Sequence, residues 1–236
     1  KADHAQLRAL AEYGGQFGLE GAADTIIAPA LLEKAFTDEP FPELPARLSV
    51  ALKVHHLGTH ASLALAWDYA EPTDLVTDAL ALVGADERPK RRAVALWWWQ
   101  TGTTGLTKEV LAHVRRRNVA LVYDDRGYTE TIAKELAAAV PKPRLIPTKP
   151  ANIPQSTVGM LKALSDGTLV MFRHPELQRA ASIATRQAFG NYGTFRFGAP
   201  KVDPDADVTP LEAAALALHF LDDTPSQVSP SDAVHF

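Results

Sequence analysis

The sequence contains no cysteine among its 236 residues, which excludes disulfides and thiolate-bound metals and fits a reducing compartment. It has no apolar run of about 18 residues and no basic-then-apolar leader, so neither a membrane span nor a secretory signal is read from it. Charge of one sign is not in excess either: 24 Lys and Arg against 28 Asp and Glu leave a net charge of −4. That excludes a global attraction to nucleic acid or an anionic membrane, so any such binding must come from local patches. A phosphate loop is missing as well, since GTTGLTK at Gly102–Lys108 lacks the required glycine-to-lysine spacing. Opening at Lys1 rather than at a methionine fits a piece of something longer.

What is present suffices for one sizeable core: 46% hydrophobic, 22% charged and 8% aromatic residues. The organising stretch is Leu48–Trp67, LSVALKVHHLGTHASLALAW, two apolar runs joined by a polar turn at Gly58, which predicts a β-hairpin in a sheet centre. Lys53 interrupts the first run. An ammonium inside a strand must pair with an acid or open onto a cleft.

Residues 1–45 read as a lead-in, with helical patterns at Ala5–Tyr13 and Ile26–Phe36; 46–223 form the domain, and 224–236 a loosely ordered tail. After the hairpin come a possible short helix in Asp68–Asp86, a basic turn at Arg88–Arg92 and a strand at Ala93–Gln100. Trp97, Trp98 and Trp99 alternate faces on that strand, so they read as core packing rather than as a platform for bases. A helix follows at Thr107–Arg117, and its closing Arg115, Arg116 and Arg117 suit the dipole of a solvated helix end. Val119–Tyr123 is a strand ending in Asp124 and Asp125, where α/β folds build sites, and Thr129–Val140 is the next helix. Beyond it lie a short strand at Leu145–Ile146, a helix at Ser156–Leu164, a strand at Leu169–Phe172, a helix at Glu176–Phe189 and a last strand at Thr194–Phe197. The final helix carries a capping-box pattern, Thr209 as N-cap, Pro210 first and Glu212 third, with Asp203, Asp205 and Asp207 ahead of it.

In this order the stretches SVALKVHHLGTHASLALA, VALVYDDRG, and the block from DGTLVMFRHPELQRAASIA through DADVTPLEAAALALHF resemble the ribonuclease-H-like nuclease domain of the large subunit of tailed-phage terminases. The resemblance implies an α/β fold, a ribonuclease-H-like mixed sheet flanked by helices. It implies metal-dependent endonucleolytic cleavage of concatemeric double-stranded viral DNA with two Mg²⁺ or Mn²⁺ ions held by acids. Carried over by motif, the second acid is Asp124, with Asp125 adjacent, and the third is Asp207, with Asp205 assisting. The first falls on Lys53, a departure, because an ammonium repels a cation and coordinates none.

Three alternatives follow from that departure: an altered site that no longer cuts, a natural non-catalytic module holding DNA or the portal, or a site rewired through His55, His56 or His60. DNA contacts are expected at Arg126, Lys142, Arg144, Lys149, Arg173 and Lys201, in loops near strand ends. The resemblance further implies as partners a terminase ATPase domain, the small terminase subunit and the portal, no membrane, and the cytoplasm of an infected bacterial host.

Overall fold

The computed structural model describes residues 25–70, 90–190 and 193–224. The helix expected at Ala5–Tyr13, most of the segment Asp68–Asp86 and the tail beyond Thr224 lie outside the described residues. In chain order the elements are α1 Pro29–Ala35, β1 Phe36–Thr37, β2 Ser49–Val54, β3 His60–Tyr69, β4 Arg91–Thr101, α2 Leu106–Arg117, β5 Leu121–Tyr123 and α3 Tyr128–Ala138. They continue with β6 Leu145–Pro147, α4 Asn152–Ser165, β7 Leu169–Phe172, α5 Pro175–Ile183, β8 Thr185–Ala188, β9 Phe195–Gly198 and α6 Thr209–His219.

Seven strands form one mixed sheet in the order β1-β7-β4-β3-β2-β5-β6. Only β3 runs against the others: it pairs antiparallel with β2 and β4, and every other pairing is parallel. The C-terminal ends of the six parallel strands therefore gather on one rim, where sheets of this kind place their sites. The start of β3 joins them there.

Alternation along the central strands builds two cores. On one face Ala51, Ala64, Ala66, Val94, Leu96 and Met171 pack under α1, α4, α5 and α6; the small alanines let α6 sit close over β2, β3 and β4. On the other face Val50, Leu52, Leu63, Leu65, Ala93 and Ala95 meet Val110 and Val114 of α2 and Ile132 and Leu136 of α3. Helix α6 is apolar nearly all round, the signature of a helix covered on every side.

Four sequence expectations are corrected. Of the basic turn expected at Arg88–Arg92, the first two residues lie outside the described residues, and Arg91 and Arg92 are strand: β4 begins at Arg91, whose partner is Tyr69. The helix expected to run to Phe189 stops at Ile183, and Thr185–Ala188 pairs with Phe195–Gly198 as a separate two-stranded ribbon. The β-branched Thr185 that opens it favours the extended chain. The tryptophans do not simply alternate, because a bulge between the pairs Leu63–Trp98 and Ala64–Leu96 leaves Trp97 extra. Trp97 and Trp98 both lie on the α2 side, around His113, and Trp99 turns to the α6 side. Finally, Thr209 is the first helical residue rather than the N-cap, and the capping box does not form.

Candidate functional site

Register places the site's side chains in a row. Lys53 of β2 is opposite Ser62 of β3, which is opposite Trp99 of β4, so the three point to the face covered by the start of α6. Above this row Ser62 Oγ shares a 2.7 Å hydrogen bond with Thr209 Oγ1, which fixes the helix entry on the sheet. Asp207, rather than Thr209, satisfies the helix start: its Oδ1 accepts from the Thr209 N–H at 2.9 Å, and its Oδ2 accepts from the Trp99 indole N–H at 2.9 Å. The Trp99 ring also stacks on His60 at 5.6 Å.

At the β2–β5 end of the row, Lys53 Nζ donates to Asp124 Oδ2 at 2.5 Å and stands 3.8 Å from Glu212 Oε2. Arg126 Nε donates to the other Asp124 oxygen at 3.0 Å, and Arg196 lies 3.9 Å from Glu212. Lys53 and Asp124 are only 6% and 3% exposed. Burial pushes the Asp124 carboxyl up, but the Lys53 charge and its hydrogen bond, followed by Arg126, pull it below the ordinary aspartate range. Beside the ammonium a cavity of about 10 Å³ is lined by Lys53, Ser156, Thr157 and Glu212, the size of one water.

The remaining expected residues divide by position. Arg126 lies over the Phe189 ring at 4.9 Å, beside Asp124. Lys149, after β6, is exposed on the same rim, as is Asp125, after β5; Lys201 and Asp205 are exposed in the turn ahead of α6. Arg173 follows β7 on the far flank, where Asp38 at 2.6 Å and Glu33 at 3.9 Å neutralise it. Lys142 and Arg144 precede β6 and stand at the opposite rim from Asp124, so the six cations do not line one cleft. His55 is buried; burial and then His56 lower its pKa, against the opposing pull of Asp207.

Glu212 is the site residue the sequence reading assigned elsewhere. It is the one acid inside an otherwise apolar helical run, PLEAAALALHF, and that isolation was the available signal.

The acids do not fit the two-metal site that the resemblance implies. Both oxygens of Asp124 are engaged by cations, both of Asp207 by N–H donors, and an ammonium stands where the first carboxylate would complete the set. Asp207, 1% exposed, shares no hydrogen bond with Asp124. Among the described residues no group of three or more His, Cys, Asp or Glu is arranged to hold a metal ion. The arrangement is a neutralised internal ion cluster, and no chemical step is routed through a metal here.

No protein-family model and no curated protein matches the sequence. Solved structures match the fold. The large terminase of bacteriophage HK97 superposes with a TM-score of 0.55 at 10% identity, over 83% of this chain and 43% of that one. The large terminase nuclease of the thermophilic phage G20c with bound magnesium gives 0.50 at 11% identity, over 80% of this chain and 94% of that one. The chain thus spans less than half of the HK97 terminase and nearly all of the G20c nuclease domain. At these identities the likeness is one of fold, and the seven-stranded mixed sheet flanked by helices is the ribonuclease-H-like fold of terminase nucleases.

Proposed function

We propose that this chain is a ribonuclease-H-like domain of a phage DNA-packaging terminase that engages double-stranded viral DNA without cutting it. The observation that carries the reading is the 2.5 Å contact between Lys53 Nζ and Asp124 Oδ2. The ammonium occupies, as a fixed internal charge, the role a divalent ion plays against an acid at this rim, and it repels any ion approaching the same carboxylate. The fold shared with the HK97 and G20c proteins supports the terminase assignment. The ATPase domain, the small subunit and the portal are the partners this reading brings, in the cytoplasm of an infected host.

Metal-dependent cleavage is the competing reading, and it is favoured by Asp205, which is exposed two residues before Asp207 and could hold a divalent ion there. Plasmid cleavage with Mn²⁺ decides between them. The wild-type chain is expected to leave supercoiled plasmid intact, and Lys53→Asp to nick it in an EDTA-sensitive way. Cutting by wild type that Asp124→Asn abolishes overturns the proposal.

A further inference from the structure

The cations of the two sheet rims are used differently. On the rim that holds Asp124, most are spent: Lys53 and Arg126 on Asp124, Arg196 on Glu212, Arg173 on Asp38 and Glu33. On the opposite rim Arg115, Arg116, Lys142 and Arg144 are all exposed, and none forms an ion pair with a described carboxylate.

These four come from two segments that the fold joins. Arg115 Nη2 donates to the Pro141 carbonyl at 2.9 Å, tying the last turn of α2 to the loop that carries Lys142 and Arg144. The Arg144 carbonyl in turn accepts from the Leu121 N–H at 2.8 Å, where β5 starts four residues after α2 ends. One or two cations would complement the dipole of α2. A third arginine, Arg117, turns away to the Leu44 carbonyl, and the two loop cations lie outside the helix altogether.

We infer that this second rim is a phosphate-binding surface for duplex DNA, separate from the Asp124 site. Guanidinium groups predominate, and they suit phosphate oxygens through paired N–H donors. With a net charge of −4 on the whole chain, a patch of cations with no ion-pair partner among the described residues is where a polyanion is held. The inference rests on the DNA reading above only for the identity of the polyanion. It assigns Lys142 and Arg144 to a surface that a duplex lying on the Asp124 rim does not reach.

Duplex DNA binding followed across a salt titration tests it. Three variants are compared: wild type, Arg116→Glu/Lys142→Glu/Arg144→Glu, and Lys149→Glu/Lys201→Glu. The triple variant changes exposed side chains only and leaves the Arg115–Pro141 contact in place, and circular dichroism verifies its fold. The expected result is at least a tenfold loss of affinity in the triple variant, with the salt slope reduced by about 3, and near-wild-type binding by the double variant. Binding lost only in the double variant overturns the inference and leaves the DNA reading standing. Binding by wild type to polyglutamate but not to DNA, abolished in the triple variant, overturns it in favour of an acidic protein partner and removes the DNA reading too. Binding to neither polymer overturns both.

Discussion

Asp124 depends on its cations. Without the Lys53 ammonium, a nearly buried carboxylate keeps a single partner, Arg126, whose side chain is 41% exposed. Lys53→Met is therefore expected to cost about 3–5 kcal/mol in urea unfolding, and Lys53→Met/Asp124→Leu to recover part of it, because the stranded Asp124 charge is gone while Glu212 keeps only Arg196. The sign with pH follows from the lowered Asp124 pKa: the pair contributes fully above the ordinary aspartate value and is lost as pH falls through the folded one. Acid titration by circular dichroism should show wild type losing its advantage over the Met/Leu variant below about pH 4. Trp99→Phe keeps a ring against His60 but removes the indole donor to Asp207, at an expected cost of about 1–3 kcal/mol, read by the same unfolding assay. A buried lysine in a strand was legible in the sequence as a residue needing an acid, and Asp124 as an acid at a strand end. The Trp99–Asp207 contact was not, because it depends on a register shift that no local pattern signals.

The hairpin of β2 and β3 was readable because alternation and turn chemistry agree there. Gly58 holds φ +70°, and a Cβ on it would come within 2.9 Å of the Tyr128 ring. Gly58→Ala should destabilise by about 1–2 kcal/mol from the left-handed backbone alone, with a further loss from the ring contact that Gly58→Ala/Tyr128→Ala relieves. A melting curve of the two variants separates these parts. The bulge in β4 was hidden, since three consecutive tryptophans look the same in any register. The ribbon of β8 and β9 was hidden for a different reason: the apolar spacing of α5 runs on past Ile183, and only the long-range pairing of Thr185–Ala188 with Phe195–Gly198 makes that stretch extended. The start of α6 was found at the right place with the wrong capping group. Asp207 caps from outside the helix, and Thr209 is drawn off to Ser62.

For the molecule as a whole, an acid cluster balanced by its own cations predicts indifference to divalent ions. Thermal unfolding in Mn²⁺ and in EDTA should give the same midpoint for wild type, and a metal-dependent rise for Lys53→Asp. Stability should also fall as pH drops below about 6.5, because burial lowers the pKa of His55, His174 and His219, so the unfolded chain takes up protons that the folded one refuses. Denaturant midpoints at pH 7.5 and 5.5 check this. Fold class was legible in the succession of strands and helices. The separation of the expected DNA contacts onto two rims was not, because it follows from strand direction, which the sequence leaves unstated.

Helix α6 closes one face of β2, β3 and β4 although more than a hundred residues separate it from any of these strands. During synthesis, then, the sheet can assemble only with its alanine-lined side bare to water, and Lys53 waits beside Asp124 without Glu212. Until Thr209–His219 leaves the ribosome, the nascent polypeptide shows chaperones and proteases an open flank.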